Sequence, residues 1–358
     1  MSQRREKSNA GEGQAKTVDV AQSEVMSSFT IDTHAHLAVP AVEGLIASAP
    51  GADHQRLSDA VAMGAASADV NRANMPGVWQ KLTSIEERLE WMDRSRIDVQ
   101  LVSPLPSPHD WADEDLAASI VSTTNAAVAE HCALAPERLY GIGTVALQHP
   151  SLAVEQLVVA HDAGLRGIQI STTAGPGREL DHSDLEPFWA TAAELGMVVM
   201  IHPWGCSLGE RLSDYYLFNT VGNPVETTLA LSRIIFGGIL ERHPKLLLWA
   251  AHGGGYLGAY LGRSDHAWEQ RPDAHTTTTR PSTQFRSVHV DALVYSDMQL
   301  RHLVESLGAD QIMLGSDYPF DMGLEDPVGR LEMAGVPADA IEAIRGTNAA
   351  ALFSIDRH

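Results

Sequence analysis

Short apolar segments alternate with longer amphipathic segments along the chain after residue 28. Eight of the short segments are rich in Val, Ile and Leu and are apolar on both faces, as in a parallel sheet covered by helices. They span residues 29–36, 98–105, 139–147, 165–172, 197–204, 245–252, 288–295 and 311–318. Eight strand–helix units of this length predict an α/β fold, a (β/α)8 TIM barrel, rather than a doubly wound sheet.

One connection departs from a minimal barrel. Residues 37–83, between the first strand and the next clear helix, are too long for an ordinary strand–helix loop. Such a loop leaves a barrel from its catalytic face, so we expect an insertion that covers the active site as a lid. Ser84 and Glu87 have the spacing of a capping box and place the start of the following helix. Since no change of composition marks a second domain, we assign residues 29–358 to a single barrel domain.

The N-terminal segment, residues 1–28, contains Gly, Ser, Gln, Lys and Glu without an apolar centre. This composition predicts a disordered tail and not a secretory signal. No apolar run is as long as a membrane-spanning helix. The two cysteines, Cys132 and Cys206, are too few for a disulfide framework and indicate a reducing compartment. We therefore expect a cytoplasmic protein.

The charge of the chain limits its partners. Forty-six acidic residues against 25 basic ones give a net charge of −21. Binding to nucleic acid or to an anionic membrane requires a basic surface, so this balance disfavours both. We expect the partner to be a small-molecule substrate.

Five side chains lie where the predicted strands end. His34 and His36 end the first strand, His202 the fifth, His252 the sixth and Asp317 the eighth. The His-x-His pair alone is weak evidence, because composition gives roughly 0.7 such pairs by chance. However, the carboxyl ends of barrel strands meet at one rim, and residues i and i+2 of a strand point the same way. We therefore predict a metal site in which one of the five groups carries a proton; the residues alone do not say which.

The donor set also indicates which metal is bound. Nitrogen ligands with one carboxylate favour Zn²⁺, with Mn²⁺, Co²⁺ or Fe²⁺ as alternatives. A metal bound in this way can bring the pKa of a coordinated water towards about 7. The sequence therefore predicts a metal-dependent enzyme.

Seven short segments resemble a known family. They are DTHAH, GIQI, HPW, ERHPK, HGGG…LGR, VDALVY and GSDYPF, spread from about residue 30 to residue 353. Together they resemble the decarboxylase branch of the amidohydrolase superfamily, and more narrowly the α-amino-β-carboxymuconate-ε-semialdehyde decarboxylases. The resemblance implies a zinc-dependent carbon–carbon lyase that removes CO2 without oxidation from an unsaturated or aromatic carboxylic acid. That semialdehyde or a close analogue is the expected substrate, and a hydrolase or hydratase of an amide, lactone or double bond is the alternative.

The resemblance also separates the roles of the five groups. It implies that His34, His36, His202 and Asp317 bind the metal, with zinc the usual ion. It implies that His252, in the HGGG segment, carries the proton. His34 favours a decarboxylase that acts on the semialdehyde, because relatives acting on aromatic acids often have Glu at this position.

Three further residues are implied to bind the substrate. Arg72 and Arg263 match arginines that hold substrate carboxylates, and Phe320 matches a residue that lines the pocket. The second of these arginines reaches the neighbouring subunit's site in the family, which implies a homodimer. The loop after HPW lacks the tryptophans of the family pattern, which leaves the exact substrate open.

Overall fold

Eight parallel strands, each paired with the next in chain order, form the centre of the fold. The computed structural model describes residues 29–107 and 109–356, so the predicted tail at residues 1–28 lies outside the described residues. The predicted barrel is confirmed. The strands are β1 (Ile31–Leu37), β2 (Val99–Pro104), β3 (Leu139–Thr144), β4 (Gly167–Ile170), β5 (Val198–Ile201), β6 (Leu247–Ala250), β7 (Val288–Asp291) and β8 (Ile312–Met313).

The barrel closes where the chain after β8 returns to β1. The backbone N–H of Asp317 donates to the carbonyl of His34 at 2.8 Å, and that of His36 donates to the carbonyl of Tyr318 at 2.9 Å. These hydrogen bonds place the GSD segment directly beside the His-x-His pair. The closing seam therefore brings together groups that lie about 280 residues apart in sequence.

The connection after β1 is not the irregular loop that its length predicted. It forms three helices, α1 (Pro40–Ile46), α2 (Pro50–Met63) and α3 (Ala65–Thr83). Proline at the first helical position starts both α1 and α2, because its fixed φ suits a helix start. Few residues of these helices are buried, so the apolar periodicity that would reveal them is weak.

The remaining helices lie around the barrel. Ser84 caps the first of them, its Oγ accepting from the Glu87 N–H at 3.2 Å as the sequence predicted. No helix within residues 29–107 and 109–356 combines the length and apolarity needed to span a membrane. The helices around the barrel are α4 (Ile85–Arg94), α5 (Glu114–Ala133), α6 (Pro150–Asp162), α7 (Glu186–Leu195), α8 (Asn223–Phe236), α9 (Ile239–Arg242), α10 (Leu257–Gln270), α11 (Pro281–Phe285), α12 (Asp297–Leu307), α13 (Pro327–Met333), α14 (Ala338–Glu342) and α15 (Asn348–Phe353).

Two hydrophobic layers hold the barrel together. Alternate strand residues such as Leu101, Met200 and Trp249 fill its interior, and Phe353 of α15 packs against Trp249 from below. The intervening residues pack against the surrounding helices. Since the interior is filled with side chains, the rim at the carboxyl ends of the strands is where a site can form.

Candidate metal centre and active site

Four buried or half-buried side chains converge at this rim. His34, His202, His252 and Asp317 each offer one potential ligand atom, and these atoms all lie within 4.8 Å of one another. They come from β1 and from the segments that follow β5, β6 and β8. The structure thus brings together four of the five groups that the sequence predicted, in a geometry able to hold a metal ion.

The hydrogen bonds of two histidines fix their tautomers. His34 Nδ1 donates to Asp291 Oδ2 at 2.8 Å, and His202 Nδ1 donates to the Pro203 carbonyl at 2.9 Å. Because Nδ1 carries the proton, each Nε2 presents a lone pair, as in histidines that bind metals. The two Nε2 atoms lie only 3.1 Å apart. Two ring nitrogens this close need a proton or a metal cation between them, so the donor set fits a metal.

His36 belongs to the same cluster. Its Nδ1 lies 3.2 Å from the Pro104 carbonyl, while its buried Nε2 has no hydrogen-bond partner among the described residues. That Nε2 lies 3.3 Å from Asp317 Oδ1, and the ring lies 4.9 Å from the ring of His202. The unpartnered Nε2 therefore faces the other donors, as expected of a metal ligand.

His252 differs from these three histidines. Its Nδ1 is buried with no hydrogen-bond acceptor among the described residues, and its Nε2 lies 3.6 Å from Asp317 Oδ2. Its ring is therefore held by fewer hydrogen bonds than those of His34 and His202. Both His252 and Asp317 have positive φ values, 55° and 59°. Such backbone conformations cost roughly 1–3 kcal/mol and occur often at functional sites.

The charge states of the cluster suit cation binding. Burial raises the pKa of Asp317, but the neighbouring His34 and His252 outweigh it, so the pKa lies well below its usual value. Burial, reinforced by the other histidines, holds the pKa of His202 well below its usual value, and burial also lowers that of His36. An ionised carboxylate and neutral imidazoles are the forms that bind metals. For His34 burial lowers the pKa, but Asp317 and Asp291 outweigh it and leave the pKa raised.

Asp291 is a site residue that the sequence reasoning missed. Besides His34 Nδ1, its carboxylate accepts the backbone N–H groups of His252 and Gly253, both at 2.9 Å. It thereby orients the His34 ring and the His252 backbone together, as acids behind metal-bound histidines do. The signal was available, because Asp291 ends β7 just as the other site residues end their strands.

The HGGG segment needs its glycines. Gly253, Gly254 and Gly255 all have positive φ values, between 63° and 73°. A Cβ on Gly253 would clash with Val294 Cγ1, and one on Gly255 would clash with the Pro224 carbonyl oxygen. The absence of side chains lets this backbone carry His252 close to α8 and to the metal-binding groups.

A cleft of about 720 Å³ opens beside the cluster. Its floor includes His202, His252 and Asp317, and Phe320 lines it with a ring 5.4 Å from that of His36. Phe320 thus lines the cleft, and its contact with a substrate stays a prediction. The walls are formed by Asn71, Asn74, Met75 and Val78 of α3, at the spacing of one helix face, and by Trp204, Tyr216, Asn219 and Asn223.

The two predicted arginines do not line this cleft within the single chain. Arg72 lies on the opposite face of α3, where its side chain is 76% exposed and pairs with Asp69 at 2.8 Å. Arg263 is exposed on α10 and has no hydrogen bond or ion pair with any residue in the described ranges. A substrate-binding role for either arginine stays a prediction.

Comparison with known proteins decides the family. Residues 31–355 match the sequence profile of the amidohydrolase family. The chain belongs to this family. The match covers all eight strands of the barrel and all five side chains that converge at its rim.

Several amidohydrolase relatives are decarboxylases. The 2-amino-3-carboxymuconate-6-semialdehyde decarboxylase of Dictyostelium discoideum is 33% identical over 262 residues, which is 72% of this chain and 70% of the relative. The γ-resorcylate decarboxylase of Rhodococcus jostii (strain RHA1) is 28% identical over 297 residues, covering 77% of this chain and 90% of the relative. A dihydroxybenzoic acid decarboxylase from Polaromonas sp. JS666, solved with bound manganese, superposes with a TM-score of 0.77 at 21% identity, covering 92% and 98% of the two chains.

Proposed function

We propose that this amidohydrolase is a metal-dependent, non-oxidative decarboxylase of an unsaturated or aromatic carboxylic acid. The observation that carries the proposal is the convergence of four imidazoles and one carboxylate at the floor of a cleft large enough for such an acid. The decarboxylases among its relatives support this activity. The semialdehyde substrate of the 33%-identical relative, or a close analogue, is the substrate that we propose first.

We propose His34, His36, His202 and Asp317 as the metal ligands, with zinc as the preferred ion because three of them are nitrogen donors. Manganese is the first alternative, since it is bound in the decarboxylase structure from Polaromonas. A bound divalent ion would supply Lewis acidity to an oxygen of the substrate.

The chain's own groups then handle the proton. In decarboxylation the carbon–carboxylate bond breaks, CO2 leaves, and the electron pair that remains on carbon is met by a proton. His252 stands at the edge of the cluster and lines the cleft, so it is the group that we propose for delivering that proton to the carbon, after which solvent restores the proton on the imidazole. Asp291 positions it through the backbone, and Phe320 holds the flat, unsaturated part of the substrate.

A hydrolase or hydratase is the competing function, because the same metal cluster can attack an amide, a lactone or a double bond with water. We expect the metal-loaded enzyme to release CO2 from a carboxymuconate semialdehyde or from at least one of a set of hydroxybenzoates. The measurement is CO2 in the headspace, together with product identity by mass spectrometry. Opening of lactones or amides without any CO2 from the acids would replace the decarboxylase with a hydrolase.

We also propose a homodimer in which Arg263 completes the neighbouring site, since this exposed cation has no partner within its own described chain. Arg263→Ala and His252→Gln should each be inactive alone, because each lacks one group of every site. Co-expressed, half of the dimers are mixed and each has one intact site, so we expect about a quarter of wild-type activity. Pairing Arg263→Ala with an Arg263→Ala/His252→Gln double variant is the control that should regain nothing. If the first pair also regains nothing, Arg263 does not act across subunits.

A further inference from the structure

Apolar side chains form much of the cleft beside the metal-site residues, and the polar groups between them include amides and acids. Four asparagines, Asn71, Asn74, Asn219 and Asn223, line it together with Asp321. No lysine or arginine occurs among the described residues that form its walls. Amide and carboxylate oxygens accept hydrogen bonds from hydroxyl and amino groups. This lining therefore suits a substrate that presents uncharged donors to the wall opposite the metal cluster.

One of these asparagines, Asn223, has a side-chain oxygen without a hydrogen-bond donor among the described residues. Its side chain is buried, with 5% of the residue exposed, yet Oδ1 meets no hydrogen-bond donor in the described part of the chain. Buried polar groups in folded proteins are almost always hydrogen-bonded, so an orphaned amide oxygen at a cleft needs a partner from outside the chain. A bound substrate is the partner that the location supplies.

The location puts Asn223 next to the reacting groups. It lines the cleft and also a second, adjoining cavity of about 910 Å³ that Tyr295 helps to form. Both cavities share His252 and Asp317. A substrate whose hydroxyl or amino group donates to Asn223 would therefore also contact His252.

The backbone around Asn223 is held firmly. It is the first residue of α8 and follows a π-helical turn at Phe218–Gly222, a feature often found at functional sites. Its carbonyl accepts from Thr227 Oγ1 at 3.1 Å, and Glu226 beyond it anchors the loop after β5 through Ser207 N at 2.8 Å. Within the described residues the Asn223 side chain makes no such bond, so its amide does not hold this part of the structure together.

We propose that Asn223 is a specificity-determining residue whose side-chain oxygen accepts a hydrogen bond from a hydroxyl or amino group of the substrate. The inference rests on the proposed decarboxylase function and names a feature of its substrate class. An acid with a hydroxyl or amino group at that position is preferred to the same acid with the group methylated or removed. Sites built to hydrogen-bond a donor discriminate strongly against analogues that lack it.

The test uses matched substrates and two variants. For each of the 2,3-, 2,4-, 2,5- and 2,6-dihydroxybenzoates, kcat/KM is compared with that of the acid methylated at the second hydroxyl. At one position, methylation should lower kcat/KM by at least about 10-fold in the wild type. Asn223→Leu, which removes the acceptor, should reduce that ratio to less than about 2. Asn223→Asp keeps an oxygen at the same place and should keep the preference even where its added charge slows turnover.

The outcomes separate this inference from the proposed function. An undiminished preference in a folded, metal-loaded Asn223→Leu enzyme overturns the inference while leaving the decarboxylase in place. If the wild type decarboxylates none of these acids, the test becomes a binding measurement. The Kd values of the phenols that lack the carboxylate, and of their methyl ethers, are then measured by calorimetry for the wild type and both variants. Tighter binding of the phenol by the wild type and Asn223→Asp, but not by Asn223→Leu, supports the role of Asn223. Equal effects of methylation on binding to all three enzymes contradict it.

Discussion

His252→Gln is expected to keep its bound metal and to lose about 10²- to 10⁴-fold in kcat, the usual contribution of a general acid or base. The reason is the environment of its imidazole. His252 Nδ1 has no acceptor within the described residues and the residue lines the cleft, so the ring is placed to exchange a proton with a substrate. Glutamine approximates its size but has no proton to transfer near neutral pH. Metal content by elemental analysis and kcat are the two measurements.

The matched variant is His36→Gln, which should lose the metal because its orphaned Nε2 faces the other donors. His161→Gln, on the surface of α6, is the control that should change neither quantity. The opposite pattern, with metal lost from His252→Gln and kept by His36→Gln, would exchange the two roles. That result would agree with the four-atom cluster that includes His252 and leaves His36 beside it.

His202→Ala should abolish metal binding and activity together. Its Nε2 lies 3.1 Å from that of His34, so the two histidines form the closest pair of donors in the cluster. Loss of the Lewis acid removes several kcal/mol of transition-state stabilisation, which corresponds to at least about 10³-fold in rate.

This prediction has a readout that does not depend on activity. A ligand at 100 times its Kd stabilises the folded state by about 2.7 kcal/mol, so added Zn²⁺ or Mn²⁺ should raise the Tm of the metal-free wild type by several degrees. The Tm of His202→Ala should not respond to either ion. A full response in this variant would place the metal somewhere other than the cluster.

Much of the fold follows from local sequence patterns. Eight segments that are apolar on both faces predict eight buried parallel strands, because each strand has the barrel interior on one face and helices on the other. The insertion was harder to predict. Helices α1 to α3 bury few side chains, so neither their helical structure nor the face that α3 turns to the cleft leaves a strong apolar pattern. Arg72 was expected to bind the substrate only because of the family resemblance, whereas its neighbours Asn71 and Asn74 line the cleft of the single chain.

The site was predictable to the extent that it obeys barrel geometry. His34, His36, His202, His252 and Asp317 end strands or follow them directly, and strand ends share one rim. Their individual roles depend on hydrogen bonds between distant segments, such as that of His34 to Asp291, which no local pattern encodes. The unpartnered Asn223 oxygen likewise becomes apparent only in the folded chain.

The central claim, a metal-dependent release of CO2, is tested most directly with a ¹³C-carboxylate-labelled substrate and chelator-treated enzyme. Zn²⁺ or Mn²⁺ is added back in steps while bound metal and ¹³CO2 are measured on the same samples. We expect no labelled CO2 before addition and a rate that rises with bound metal until each chain holds one ion. Release that is independent of bound metal, or label that stays entirely in the organic product while the substrate is consumed, would contradict the account.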